Sequence, residues 1–144
     1  MKLSLVLLIT AATVFTAKAD DDKPISFEAL PKASKVFIQT YFNGQEISYA
    51  KMESEFFDKS YEVFFVDGKK IEFDKKGAWE TVDCRSAAVP AGVVPARLEE
   101  FVKKNHAGLF ITKIDRDKYD YEIELNNGIE IKFDLKFNLM GYDD

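Results

Sequence analysis

A hairpin pattern that occurs twice constrains the fold of this chain more than any other feature. Residues 61–74 read YEVFFVDGKKIEFD, and residues 121–134 read YEIELNNGIEIKFD. In each stretch an Asp-Gly or Asn-Gly pair separates two alternating runs, which is the strongest short-range signal of a β-hairpin. We therefore predict a tandem duplication of a unit that is built on a β-hairpin.

A helix is predicted in front of the strands of each unit. The helices at 31–42 and 95–106 both begin with proline, which is favoured at the first helical position, and both are followed by a glycine, Gly44 and Gly108. Four strands follow each helix, and those of the first unit are predicted at 47–53, 60–66, 69–73 and 78–83. Residues 53–60 are predicted to connect the first two strands, and 20–24 to form a mobile lead-in.

These elements define the fold class and the domain organisation. The first repeat covers residues 20–83, a connector with Pro90 and Gly92 covers 84–94, and the second repeat covers 95–144. We predict an α+β fold: a tandem duplication of a helix plus four antiparallel strands, forming one eight-stranded antiparallel sheet with helices on one face. The other face is then left for water or a partner.

The first nineteen residues have the features of a cleaved signal peptide. Lys2 precedes an apolar run over 3–15, and Ala17 and Ala19 fit a small-x-small cleavage site. Thirteen residues are too few to cross a bilayer, which needs ~20. We therefore predict that residues 1–19 are removed and that the protein is periplasmic or secreted, with no membrane insertion after cleavage.

Charge and cysteine content exclude several function classes. Removal of Lys2 and Lys18 shifts the formal charge from −5 to −7, and no basic cluster marks a nucleic-acid site. Cys84 is the only cysteine, so no internal disulfide can form, and we expect an inert thiol rather than an intermolecular disulfide. His106 is the only histidine, and no catalytic or dinucleotide motif is present. We predict no catalytic residues, no cofactor and no metal site.

One acidic stretch has part of the pattern of a calcium-binding loop. Asp115, Asp117 and Asp120 have part of the required spacing, but the glycine and the distal glutamate of an EF-hand are missing. We therefore expect a solvated hairpin turn at this position.

Candidate binding residues come from the period of two along the strands. If the helices cover the face of Val63 and Ile71, then Glu62, Phe64, Lys70 and Glu72 lie on the open face. We add Trp79, an unrepeated aromatic that could face either way, to these candidate binding residues. Phe64 is either an interface anchor for a protein partner or one half of a packed cross-strand pair, with Tyr49 or Trp79 as its neighbour.

The sequence resembles the bacterial secreted proteins described as PepSY-like. The resemblance covers nearly all of the mature chain and is carried by Leu30-Pro31 and by residues 61–63, 67–68, 71–74, 77–79 and 121–134. It implies the fold of the β-lactamase-inhibitor protein, and an extracytoplasmic binding or inhibitory module. Our hypothesis is a non-catalytic binding module, with inhibition of a protease or another secreted or periplasmic enzyme as one form of it. The alternatives are a small-ligand or cell-envelope structural protein and, less favoured, a hydrolase that uses Cys84.

Overall fold

An open antiparallel sheet and two α-helices make up the part of the chain that the structure describes, residues 22–143. The structure is a computed structural model. The predicted signal peptide, residues 1–19, and its cleavage site lie outside the described residues.

The sheet has nine strands, and each pairs antiparallel with the next one in the chain. The helix α1 (Lys32–Tyr41) follows a short 3₁₀ helix (Phe27–Ala29), and α2 (Ala96–Asn105) follows the connector. The strands are β1 (Asp22–Ile25), β2 (Ile47–Glu55), β3 (Asp58–Phe65), β4 (Lys70–Phe73), β5 (Trp79–Asp83), β6 (Ile111–Arg116), β7 (Asp120–Leu125), β8 (Glu130–Asp134) and β9 (Leu139–Asp143).

The duplicated hairpin pattern forms the β3–β4 and β7–β8 hairpins. Gly68 and Gly128, from the Asp-Gly and Asn-Gly pairs, have φ values of 99° and 93°. This left-handed region is open to glycine at no steric cost, so the turns form where the sequence predicts them.

Both helices pack on the same face of the sheet. An edge-to-face contact joins Phe37 of α1 to Phe73, with ring centroids 5.9 Å apart, and another joins Phe101 of α2 to Phe133 at 5.0 Å. The hydrophobic core lies between the helices and this face, and its centre is fully buried. The completely inaccessible aliphatic side chains from the strands are Val63, Ile71, Val82, Ile114, Ile123 and Ile131.

Two expectations about the first half of the chain are wrong. In the described residues the sheet has nine strands rather than eight, because residues 22–25, which overlap the predicted mobile lead-in at 20–24, pair with β2 as the edge strand β1. Ile25 packs against the core, which gives this segment a reason to be ordered. Residues 53–60 are not a connector, since β2 and β3 stay paired as far as Glu55 and Asp58.

The two halves, residues 32–83 and 96–143, repeat the same strand pairing in detail. In the first half Phe73 of β4 pairs with Trp79 of β5, and the next residue of β5, Glu80, forms a bulge. In the second half Phe133 pairs with Leu139, and a bulge lies at the same place. Positions in β5 and β9 can therefore be compared one to one.

Candidate functional site

The face of the sheet opposite the helices, called the open face below, is dominated by charge. Phe64 lies beside Lys70 and Glu62 beside Glu72, which places these four predicted residues together. The pairing extends this face over all the strands. Its charged members include Asp22, Lys51, Glu53, Glu62, Lys70, Glu72, Asp83, Lys113, Asp115, Glu122, Glu124, Glu130, Lys132 and Asp143.

An aromatic pair interrupts the charge at one end of the open face. The rings of Tyr49 and Phe64 stack with centroids 4.6 Å apart and planes inclined by 13°. Phe64 is therefore a packed cross-strand neighbour of Tyr49, as one of the two interpretations expected. Half of the Tyr49 surface nevertheless stays exposed, so the pair offers an apolar patch to a partner. The corresponding strand pair in the second half is Lys113 with Glu124.

Lys51 sits beside the aromatic pair at the centre of an ionic network. Its Nζ lies 3.3 Å from Asp22, 3.4 Å from Glu62 and 3.6 Å from Glu53. Partial burial alone lowers the pKa of Lys51, but the hydrogen bond to Asp22 and the attraction of Glu62 outweigh it and raise the pKa. The ammonium therefore stays charged and fixes the carboxylates around the patch.

Carboxylates on the open face are crowded. Burial raises the pKa of Glu62, and repulsion from Glu72 raises it further. The pKa of Glu80, in the bulge of β5, is raised by burial and then by Asp74 and Glu72. Such a surface favours a bound cation or a cationic protein surface, because either relieves the repulsion.

The far end of the open face holds the tightest acidic group. Oxygen atoms of Glu122, Glu130 and Asp143 all lie within 4.8 Å of one another. Burial raises the pKa of Glu122, with repulsion from Glu130 as the next cause. An all-carboxylate set of this kind has the donor chemistry that Ca²⁺ prefers. By contrast, the Asp117 carboxylate accepts hydrogen bonds from the backbone N–H groups of Tyr119 and Asp120, as in a hairpin turn.

Trp79 does not belong to the open face, and its predicted placement there is corrected. The indole is 7% exposed and lies on the helix-covered face, 6.5 Å from the Phe37 ring. The guanidinium of Arg116 covers it at 3.8 Å, and Arg116 Nε donates a hydrogen bond to the Trp79 carbonyl. The reason is the β4–β5 pairing, which sets Trp79 beside the buried Phe73.

Cys84 is poorly suited to nucleophilic chemistry. The residue is 2% exposed, and burial raises the pKa of its thiol to about 11. A reactive cysteine needs an accessible thiolate at neutral pH. The His106 ring nitrogen Nε2 is 2.9 Å from the Tyr142 hydroxyl, so this ring has a structural partner.

The tip of the β2–β3 hairpin carries the most exposed apolar residues of the described chain. Phe56 is 92% exposed and Phe57 fully exposed, and Phe56 has a φ of 57°. A phenylalanine in this left-handed region is unusual, since its β-carbon is crowded there.

Sequence reasoning missed Lys51, Arg116 and the grouping of Asp143 with the two glutamates. The register of β2 on β3 determines which carboxylates reach Lys51, and a bulge after Ile47 shifts that register. The period of two does indicate the open-face position of Glu122 and Glu130, but the distance to Asp143 depends on the β8–β9 pairing.

The sequence matches a known protein family. The family described as "putative beta-lactamase-inhibitor-like, PepSY-like" matches residues 59–141, more than half of the chain. The chain belongs to this PepSY-like family. The resemblance seen in the sequence is thereby confirmed, and a comparison with curated proteins finds no match.

Solved structures of similar proteins come from Bacteroides. A protein from Bacteroides vulgatus, described as a putative periplasmic protein of the DUF2874 family, is 49% identical, with a TM-score of 0.84, and the match covers 88% of this chain and 99% of that protein. A protein from Bacteroides thetaiotaomicron, described as a putative calcium-regulated periplasmic protein, has the same identity, coverage and TM-score. A second B. vulgatus protein, described as a putative periplasmic protein of unknown function, is 32% identical, with a TM-score of 0.81, and the match covers 85% of this chain and 99% of that protein.

These relatives confirm the predicted location, and the chain is periplasmic or secreted. Neither helix in the described part of the chain has the length and apolar content to span a bilayer.

Proposed function

We propose that this PepSY-like protein is a non-catalytic binding module that holds a protein partner on its open face. The partner presents a cationic surface. The class we favour is a protease or another periplasmic or secreted enzyme that is inhibited on binding. A duplicated helix-plus-four-strand unit would supply the two halves of this face.

The exposed Tyr49–Phe64 pair carries this proposal. Interfaces are typically built from a central aromatic anchor surrounded by polar residues that exclude water. The stacked rings provide such an anchor, and the Lys51 network beside them provides a fixed polar rim. The buried thiol of Cys84 and the engaged ring of His106 argue against the hydrolase alternative.

A substitution of Phe64 tests the proposal. Phe64→Ser removes the anchor, so capture of a partner from the periplasmic fraction by the immobilised protein should be lost. Cross-strand aromatic pairs contribute only about 0.2–1 kcal/mol, so the melting temperature should fall little. Val36→Ser is the control, because Val36 is an exposed apolar residue of α1, on the helix side of the sheet, and its loss should leave capture unchanged.

The opposite pattern would contradict the proposal. If Phe64→Ser lowers the melting temperature strongly and leaves capture unchanged, the pair is a packing element only. If neither property changes, the open face does not bind the partner. Inhibition is tested separately, by assaying the activity of the captured enzyme with the wild-type protein and with Phe64→Ser.

A second candidate function is calcium binding on the same face, in the small-ligand class. Two observations favour it: the Glu122–Glu130–Asp143 group has suitable donor atoms, and a 49% identical relative is described as calcium-regulated. These three carboxylates would hold the ion, which would neutralise their mutual repulsion.

Calcium titration distinguishes this candidate from partner binding. A bound ion stabilises the fold by RT ln(1 + [Ca²⁺]/Kd), or about 2.7 kcal/mol at a hundred times Kd. The melting temperature should therefore rise with calcium in the wild type and in Glu72→Gln, but not in Glu130→Gln. An equal rise in all three proteins would indicate nonspecific screening and would exclude this site.

A further inference from the structure

The outer edge of β9 differs from the outer edge of β1. Within residues 22–143 no strand pairs with either edge. The β1 edge carries Pro24 and the charged side chains of Asp22 and Lys23, which discourage pairing with another strand. The β9 edge instead presents apolar side chains that are about half exposed: Leu139 48%, Met140 57% and Tyr142 47%. Exposed apolar edges of this kind are rare unless they are covered.

The molecule itself shows what covers an edge with this geometry. β5 has the same register on β4 as β9 has on β8, so Trp79 corresponds to Leu139 and Val82 to Tyr142. In β5 these residues are 7% and 0% exposed, because β6 pairs along the outer edge. The β9 edge is thus the same surface without its covering strand.

The covering strand β6 has a defined order of charged and apolar side chains. Ile114 lies opposite Val82 on the helix-covered face, and Lys113 lies opposite Asp83 on the open face. The Arg116 guanidinium then covers Trp79. From Lys113 to Arg116 the order is a lysine, an apolar residue, one further residue and an arginine. The strand β6 runs antiparallel to the β5 edge that it covers.

Charge indicates that the missing strand is basic and comes from another protein. Asp143 corresponds to Asp83 and lies in the carboxylate group with Glu122 and Glu130. A lysine opposite Asp143 would relieve that repulsion, as a cation at an acidic patch does. A second copy of this chain that pairs through its own β9 edge offers no lysine, because Leu139–Asp143 contains no basic residue.

We propose that the β9 edge binds an extended segment of a partner protein as a tenth, antiparallel strand. The segment carries an apolar residue opposite Tyr142 and a lysine opposite Asp143. Backbone hydrogen bonds provide the attachment, and the alternating side chains provide selectivity. Tyr142 is already oriented for this contact by its hydroxyl, 2.9 Å from Nε2 of His106. The inference does not rest on the function proposed for the Tyr49–Phe64 end.

A synthetic peptide with the sequence of residues 110–117, capped at both ends, serves as the probe. It is titrated into the isotope-labelled protein in the presence of a chelator, so that calcium cannot contribute. Changes in amide chemical shift and slowed amide hydrogen exchange should be confined to β9 and to the neighbouring strand β8. Shifts at β1, or none at millimolar peptide, would overturn the proposal.

Charge exchange tests the register. Asp143→Lys should weaken binding of the peptide about fivefold to tenfold, since an attractive cross-strand pair becomes repulsive. A peptide with glutamate in place of its lysine should reverse the preference and bind Asp143→Lys more tightly than the wild type. Glu46→Lys, an equal change at an exposed residue before β2, should leave both affinities unchanged. Equal affinities for both peptides in both proteins would overturn the predicted register.

A separate experiment tests whether a second copy of this chain, rather than another protein, binds the β9 edge. Leu139→Lys places a charge at the edge and should abolish peptide binding, while the circular dichroism spectrum shows that the fold is kept. Sedimentation of the wild type should show a monomer. A concentration-dependent dimer that Leu139→Lys dissociates would show that a second copy occupies the edge, and the proposal would be wrong.

Discussion

The two halves of the molecule have the same strand order and pairing but different surfaces. Core contacts are matched, as in the edge-to-face pairs Phe37–Phe73 and Phe101–Phe133. On the open face, however, the stacked Tyr49–Phe64 pair of the first half corresponds to Lys113 and Glu124 in the second. The loop that contains Phe56 and Phe57 corresponds to the polar turn of Asp117.

This difference separates what maintains the fold from what is specific to each half. The matched core rings are buried, so any replacement there must fill the same space. The unmatched residues of the open face and of the hairpin tip reach the surface and are free to differ, which is where binding specificity is expected to reside. The predictions below test this division, beginning with the residues that should matter most and equally in both halves.

Removing the matched core rings should have the largest effect. Phe73→Ala and Phe133→Ala each delete a ring that is at most 1% exposed and is packed against a helix. Each should lower the free energy of unfolding by about 3–5 kcal/mol, measured by urea denaturation. If only one of the two is costly, the halves are not equivalent in packing.

The strands β5 and β9 should then respond differently at corresponding positions. Trp79→Ala opens a cavity under Arg116 and should cost about 3 kcal/mol. Leu139→Ala changes a half-exposed residue and should cost about 0.5 kcal/mol in the same urea experiment. Similar costs would mean that the β9 edge is covered in the protein in solution.

The fold could be predicted in large part because its strongest signals are local. Turn pairs at Gly68 and Gly128 and the alternation around them predict the hairpins without knowledge of distant residues. The edge strand β1 could not be predicted in this way, since Asp22–Ile25 is short and polar and is ordered by pairing with β2.

The candidate site was predicted only in part, because side-chain groupings depend on register. The period of two placed Phe64 and Glu62 on the open face. It could not assign Trp79, whose face is set by the bulge between β4 and β5. The neighbours of Lys51 come from β1, β2 and β3 together, and no single stretch of sequence contains them.

A smaller effect is expected at the hairpin tip that distinguishes the first half. Phe56→Gly should raise the free energy of unfolding by about 0.5–1 kcal/mol, because glycine accepts the left-handed conformation that crowds phenylalanine. Phe57→Gly is the control, since Phe56, but not Phe57, has a positive φ. A gain of the same size from both substitutions would mean that exposure of the rings, and not backbone strain, is the cause.

The smallest effect concerns the pH dependence of the acidic open face. Burial and repulsion from Glu72 raise the pKa of Glu62 above its ordinary 4.5, so folding favours the protonated form. The stabilisation from this group is complete below pH 4.5 and is lost as the pH rises through the folded-state pKa. The melting temperature should therefore rise as the pH is lowered from neutrality towards 4.5. The lowered pKa values of Asp67, Asp117 and Asp134 act in the opposite direction, but only below their ordinary 3.8.

Glu62→Gln shows whether Glu62 is responsible for this rise. The amide cannot ionise, so the variant should melt above the wild type at neutral pH, and the difference should shrink towards pH 4.5. Lys51 keeps Asp22 and Glu53 as partners, which limits the loss from the missing ion pair. Glu46→Gln, an exposed change outside the open face, should leave the pH profile unaltered. A lower melting temperature of Glu62→Gln at neutral pH would mean that attraction to Lys51 outweighs the repulsion from Glu72. The aromatic end of the open face would then be stabilised by its charges, and binding a cationic partner would relieve no repulsion there.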